Sequence, residues 1–265
     1  MQTILRRART KILKWTERKL NIPIEPLVPT ERIGTPYGGW IIPKNWLTPD
    51  SICYLVGAGE DISFDLGVAA KYGCQVHIFD PTPRAVSHFQ EVAKNISQGL
   101  PTKCTTSPSG FYPEYPAEVA SHLKFRPIGI WEEDTTLRFF APQNEAHISH
   151  SLVNLQRSER HIEVPVRKLS GMMRELGTPR LNLLKLDIEG AEYQVIRSIL
   201  EDKIEVDILC IEFDESAANH LDTNYVERIE QSLKSLLDAG FRVIAKEAGC
   251  HNYSLVHQRR LPTNA

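Results

Sequence analysis

The sequence predicts an α/β fold, in which a mostly parallel sheet alternates with helices and closes with an antiparallel hairpin. Two observations lead to this class. From residue 52 onward, short apolar runs that are typical of buried parallel strands alternate with helical patterns. The final strand patterns, 241–245 and 252–257, are only a few residues apart. A parallel crossover needs a dozen or more residues, so these two strands must pair antiparallel.

The elements follow in chain order. Five apolar runs that end at a glycine, an acid or an aromatic residue predict the core strands at 52–57, 75–80, 126–131, 182–187 and 207–213. Helical patterns follow at 61–72, 83–97, 189–200 and about 223–239. Pro83 suits a first helical turn, and Gly240 suits a helix C-cap. The Pro-, Ser- and Tyr-rich stretch 99–126 predicts an irregular insertion, and 137–140 and 162–166 predict extra strands.

Composition narrows the class of protein. The 265 residues carry a net charge of −2 and have ordinary globular proportions, which excludes a disordered chain and a generally basic nucleic-acid binder. The five cysteines are scattered and form no C-x-x-C pair, which argues against a disulfide scaffold and a cysteine zinc site. We expect small buried thiols in a reducing compartment, a cytoplasmic protein and no metal site. No stretch approaches 18 apolar residues, so we expect no membrane span.

The charge is unevenly distributed along the chain. Residues 1–19 contain seven basic side chains and one acid, so they carry +6 and the rest of the chain carries −8. This segment predicts a basic amphipathic helix, and residues 1–20 would then contact an anionic membrane surface. The alternative is a docking helix or a loose arm. Six prolines in 21–50 predict a linker or wrapping arm, so we place the arm at 1–49, the main domain at 50–258 and a tail at 259–265.

Candidate binding residues follow the first two strands, where open α/β sheets bind ligands. The strand–turn–helix segment Gly57, Ala58, Gly59, Glu60, Asp61 lets a ligand approach the backbone. A dinucleotide fingerprint needs a glycine at the position of Ile62, and the two acids disfavour a pyrophosphate. A cationic or zwitterionic ligand suits the turn better, and the alternative is a tight turn without a ligand. Asp80 is placed to accept bonds from a ribose, or else to cap a helix.

Further candidates follow the later strands. Trp131 would stack on a base, or else belong to the core or its rim. Asp187 and Glu189 flank the turn after the fourth core strand, where Asp187 either caps the helix or faces the ligand, and Glu212 adds a third acid. The histidines of 147–150, His150 among them, would supply a general base, or else be polar loop residues.

These motifs resemble one family. The segment 183–192, LLKLDIEGAE, is similar to the LK-x-D-x-E-G-A-E hallmark of FkbM-like S-adenosylmethionine-dependent methyltransferases. The turn after Val56 and the segment 79–83, FDPTP, resemble that family's first cofactor motif and its F-E-P-x-P. The resemblance covers about 50–258. It implies a Rossmann-like class I methyltransferase sandwich, with a seven-stranded sheet whose last strand is antiparallel.

The resemblance also implies a function: S-adenosylmethionine as cofactor and O-methylation of a hydroxyl on a small molecule or glycan. Asp187 and Glu189 would lie nearest the chemistry, with His150 as rival. The family's acid before the V-G pair is Leu55 here, and Glu60, Asp61 or Asp65 would replace it. The net acidic domain argues against a nucleic-acid acceptor. The alternatives are a nicotinamide-dependent oxidoreductase and a non-enzymatic methyltransferase-like module anchored through residues 1–20.

Overall fold

The computed structural model describes residues 20–140, 161–188, 190–215 and 224–262. The strands in chain order are β1 (Thr30–Ile33), β2 (Trp40–Pro43), β3 (Ile52–Val56), β4 (Gln75–Phe79), β5 (Leu123–Arg126), β6 (Gly129–Trp131), β7 (Thr135–Phe140), β8 (His161–Lys168), β9 (Leu181–Leu186), β10 (Val206–Glu212), β11 (Phe241–Lys246) and β12 (Asn252–His257). The helices are α1 (Ser63–Tyr72), α2 (Pro83–Ser97), α3 (Val119–His122), α4 (Leu169–Glu175), α5 (Glu192–Glu201) and α6 (Asn224–Asp238).

The main sheet confirms the predicted architecture. Within the described residues it has seven strands in the order β11-β12-β10-β9-β3-β4-β5. Five neighbouring strands, β10, β9, β3, β4 and β5, run parallel to one another. Strand β12 pairs antiparallel with both β10 and β11. The chain moves outward from β3 through β4 to β5 and then returns to the other side of β3 at β9. This reversal creates the crevice in which doubly wound sheets bind ligands.

The bounds predicted for the core strand at 126–131 are wrong. The strand that extends the main sheet is β5, which pairs with β4, while β6 belongs to a separate three-stranded sheet of order β6-β8-β7. Pro127 separates the two strands, because proline has no N–H to continue a ladder. The extra strands predicted at 137–140 and 162–166 are confirmed within β7 and β8.

Two hydrophobic cores cover the two faces of the main sheet. Alternate residues of β3 point to opposite faces: Cys53 and Leu55 pack with α1 and α2, whereas Tyr54 and Val56 pack with α4, α5 and α6. The buried cysteines are confirmed as free thiols. Both faces are therefore apolar, which explains the continuous hydrophobic runs of the parallel strands.

The described part of the proline-rich arm packs into the first core. β1 and β2 form an antiparallel hairpin, and Trp40, Ile42 and Leu47 are buried in the same core cluster as the apolar residues of α1. At the other terminus, Arg260 lies over the ring of Trp46, with 5.6 Å between the guanidinium carbon and the ring centroid. The arm from residue 30 is therefore part of the domain's structure. The basic segment 1–19 lies outside the described residues, and no described helix is long and apolar enough to cross a membrane.

The hairpin's burial predicts a large contribution to stability. Ile42→Ala should lower the free energy of unfolding by about 2–5 kcal/mol, because it leaves a cavity where a fully buried side chain packs. Ile24→Ala is the matched control, since Ile24 is 50% exposed and its truncation should change stability by no more than about 0.5 kcal/mol. Urea unfolding measures both values. Equal, small effects would contradict the placement of the hairpin in the core.

Candidate functional site

A cavity of about 270 Å³ opens at the carboxyl ends of β3, β4, β9 and β10. This is the crevice where the strand order reverses, and its volume is just below the usual range for small-molecule sites. The predicted site residues that line it are Gly57, Ala58, Gly59, Glu60, Asp61, Asp80 and Asp187. Residues from three separate turns of the sequence are thus brought together. Glu212 and Asp214 add two acids from the end of β10.

The other predicted site residues do not line this cavity or lie outside the described residues. Trp131 is half-buried at the end of β6, and its neighbours Gly129 and Ile130 line the cavity in its place. The reason is the altered strand assignment, since β6 belongs to the small sheet and not to the main one. His150 and Glu189 lie outside the described residues.

The turn after β3 admits only glycine at its first position. Gly57 has φ +88°, and a Cβ built there would lie 1.8 Å from the carbonyl oxygen of Asp187. The Asp187 amide donates to the carbonyl of Val56 at 3.1 Å, so β3 and β9 remain paired up to the cavity floor. This close approach joins the glycine turn directly to the Asp187 segment.

Lys185 is a cavity residue that sequence reasoning missed. Its side chain is only 5% exposed, and its ammonium donates to the Gly57 carbonyl at 2.5 Å and pairs with Asp187 at 3.0 Å. Burial lowers the pKa of Lys185, but the charges of Asp187 and Asp65 raise it by more, so its net pKa is raised and the ammonium stays protonated. The available signal was a lysine inside the apolar strand 181–186, because a buried lysine requires partners.

Asp80 fastens the glycine turn to the start of α2. One of its carboxylate oxygens accepts from the amides of Ala58 at 2.9 Å and Gly59 at 3.0 Å. The other accepts from the amide and the hydroxyl of Thr82, at 2.8 and 2.6 Å. A carboxylate has about four acceptor positions, and protein donors already use four. The ribose role of Asp80 stays a prediction, and its observed role is to hold the two turns together.

Asp61 is also bonded to the protein. Its oxygens accept from the Ser63 amide at 2.9 Å and from the hydroxyls of Thr35 and Thr106 at 2.6 and 2.5 Å. Burial raises the pKa of Asp61, but these hydrogen bonds lower it by more, so its net pKa is lowered and the carboxylate stays charged. The side chain thus connects loops around the cavity.

The acids of the 183–192 motif have different positions. Glu192, which is buried, accepts from the amides of Ile188 at 3.0 Å and Gly190 at 3.0 Å, so it stabilises the turn after β9. The helix predicted from 189 begins at Glu192, and Asp187 therefore does not cap it. Asp187 instead faces the cavity with 30% of its side chain exposed. It is the acid of this motif, among the described residues, that is available to a ligand.

The strand order and the glycine turn place the chain in the Rossmann-like class of α/β folds. The chain belongs to the FkbM methyltransferase family, because the methyltransferase FkbM domain matches residues 56–243. The match includes the glycine turn, Asp80, Lys185 and the motif acids.

Known proteins show further similarity. The chain is 28% identical over 157 residues to "Methyltransferase 1" of Beauveria bassiana (strain ARSEF 2860). The aligned region covers 55% of this chain and 58% of that relative's length. Among solved structures, the human methyltransferase 10 domain containing protein aligns over 96% of this chain and 94% of its own, at 9% identity and a TM-score of 0.42. An rRNA methylase from Streptococcus thermophilus aligns over 80% and 90%, at 12% identity and a TM-score of 0.37.

Two glycines of the turn allow a matched test. Gly57→Ala should disrupt the site, because the added Cβ meets the Asp187 backbone, whereas Gly59→Ala places its Cβ in open space. Gly59 has φ +54°, so that variant should lose only about 1–2 kcal/mol through the left-handed backbone. Urea unfolding should show a clearly larger loss for Gly57→Ala. Equal losses would contradict the close contact between the turn and β9.

Asp65 predicts a pH dependence of stability. Burial raises the pKa of this carboxyl from its ordinary 3.8 to about 6, although Lys185 opposes the rise. The folded protein then holds this proton more tightly than the unfolded chain does. The protonated Asp65 therefore adds to the free energy of unfolding below about pH 4. This contribution, about 3 kcal/mol, is lost as the pH rises through about 6.

Asp65→Asn should remove this dependence. Urea unfolding at pH 4–7 should show the variant gaining stability relative to the wild type as the pH rises. A difference that is constant across this range would show that Asp65 does not titrate in it.

Proposed function

We propose that the protein transfers a methyl group from S-adenosylmethionine to a hydroxyl group of a small molecule or sugar. The charge of the cavity carries this proposal. Among the described lining residues there are six carboxylates and one cation, Lys185; the carboxylates are Glu60, Asp61, Asp80, Asp187, Glu212 and Asp214. S-adenosylmethionine carries a sulfonium and an ammonium, which such a lining attracts, whereas the two phosphates of a nicotinamide dinucleotide would be repelled.

The residues of the cavity fit this cofactor. Gly57 and Gly59 line the cavity, and a Cβ at Gly59 would meet open space. Asp80 and Thr82 lie at the end of β4, where the ribose of a nucleoside is expected. The Thr82 hydroxyl now donates to Asp80, and rotating it away frees one acceptor position for a ribose hydroxyl. The amine end would then extend toward Asp187 and Glu212. Both carboxylates are half-buried at the ends of adjacent strands.

The chain's own groups would orient the acceptor and receive its proton. When bound, S-adenosylmethionine supplies an activated methyl group. The protein then has to position a hydroxyl and accept its proton. Lys185 holds the Asp187 carboxylate in place, and Glu212 accepts a hydrogen bond from the Asn252 amide at 3.2 Å. We propose that these two carboxylates contact the ligands, with Glu189 and His150 as further candidates for the base.

Calorimetry tests the proposal directly. S-adenosylmethionine and S-adenosylhomocysteine should bind saturably, and NAD should not. Asp187→Asn should weaken binding by about tenfold or more, because it removes a charged partner of the ligand. Asp50→Asn is the matched control, because Asp50 is exposed just before the amino end of β3, away from the cavity. This variant should bind like the wild type.

Two results would contradict this proposal. An absence of binding at millimolar S-adenosylmethionine would favour a non-enzymatic module, and binding of NAD alone would favour an oxidoreductase. Methyl-labelled S-adenosylmethionine incubated with pooled glycosides and polyols tests the acceptor. Label recovered in products that resist mild base indicates an ether formed on a hydroxyl, and label in base-labile esters would contradict hydroxyl transfer.

A further inference from the structure

We propose that the hairpin of β1 and β2 forms a wall of the cofactor site, and that Asp61 is the positioning residue that fastens it there. The inference rests on the proposed function and extends the site beyond the segment shared with the family. The family match begins at residue 56, yet Tyr37, Gly38 and Trp40 of the hairpin line the cavity.

The fastening is a buried hydrogen-bond cluster around one carboxylate. Thr35 of the hairpin donates its hydroxyl to Asp61 at 2.6 Å, and its own amide donates to the Ser63 hydroxyl at 2.8 Å. Thr106, from a loop on another side of the cavity, donates to the same Asp61 oxygen at 2.5 Å. Because Asp61 is only 7% exposed, water cannot fully replace a hydrogen bond that the carboxylate loses, and the loss is costly. The carboxylate therefore connects three segments that line one cavity.

The backbone of the hairpin is fitted to this carboxylate. The amide of Gly38 donates to the Thr35 hydroxyl at 2.9 Å, which orients that hydroxyl toward Asp61. A Cβ at Gly38 would lie 2.6 Å from the Asp61 carboxyl carbon, so the loop can approach this closely only with glycine. Arg32 holds the same loop from outside, because it donates to the Pro36 carbonyl at 2.9 Å. These contacts hold the loop between β1 and β2 against the Asp61 side chain.

The position of the hairpin indicates which part of the ligand it faces. β2 packs beside β10 and β12, on one side of β3, whereas Asp80 follows β4 on the other side. A nucleoside held at Asp80 would therefore direct its 5′ substituent toward the hairpin. The hairpin wall should then matter for the amino-acid part of the cofactor and little for the adenosine part.

Removing the Thr35 hydroxyl tests this inference. Calorimetry with S-adenosylhomocysteine and with adenosine compares a ligand that has the amino-acid part with one that lacks it. Thr35→Val, which keeps the shape but loses the donor, should weaken S-adenosylhomocysteine binding by about tenfold, as expected for a lost bond to a charged group. Adenosine binding should change by less than about twofold, since the hairpin would not contact it. Thr35→Ser keeps the hydroxyl and should bind S-adenosylhomocysteine with wild-type affinity. Thr30→Val is the matched control, because Thr30 lies at the exposed start of β1, and it should also bind like the wild type.

The possible failures are distinguishable. Thr35→Val binding S-adenosylhomocysteine like the wild type, or losing both ligands equally, would overturn the inference while leaving the proposed function intact. A wild-type protein that binds neither ligand would overturn both. If Thr35→Val does not fold by near-ultraviolet circular dichroism, Gly38→Ala, whose Cβ would push the hairpin loop away from Asp61, must show the same selective loss.

Discussion

The buried ammonium of Lys185 is the interaction on which the rest of the site depends. A buried cation is tolerated only when anionic or polar partners surround it. Lys185 finds such partners in the Gly57 carbonyl and in Asp187, and the charges of Asp65 and Glu212 also act on it. These partners belong to the turn after β3, the turn after β9, α1 and β10, so one charge connects four segments. Without it, the acids at this edge of the sheet would repel one another.

The acids of the site divide into those that bond to its turns and loops and those that we propose as ligand contacts. Asp80 and Asp61 accept hydrogen bonds from turns and loops, and Glu192 accepts from the turn after β9. Strand ends leave backbone amides without ladder partners, and a short carboxylate nearby satisfies them. The other four lining carboxylates are Glu60, which pairs with Arg84, and Asp187, Glu212 and Asp214. An acid-rich motif can therefore owe much of its composition to local structure rather than to ligand contact.

Prediction from sequence succeeded where local patterns determine structure and failed where distant contacts do. The apolar runs and the short spacing between β11 and β12 were sufficient for the sheet and its antiparallel closure. Pro127 breaks the ladder between β5 and β6, although the run 126–131 is apolar enough to predict one continuous strand. The cluster on Asp61 depends on Thr35, 26 residues earlier, and on Thr106, 45 residues later. No spacing rule reports such contacts, and the six prolines of 21–50 obscured the burial of Trp40 and Ile42.

The excess of negative charge in the cavity connects binding to stability. Lys185 pairs with Asp187, and Arg84 pairs with Glu60 at 2.9 Å, yet six carboxylates and one cation among the described residues line the cavity itself. Carboxylates held near one another disfavour each other's charged form, which costs free energy. A ligand with positive charge relieves that repulsion and binds only the folded chain, which stabilises the fold in proportion to its concentration. A site optimised for stability alone would replace some of these acids with neutral residues. The proposed sulfonium ligand would give these acids a role in binding that their cost to stability does not explain.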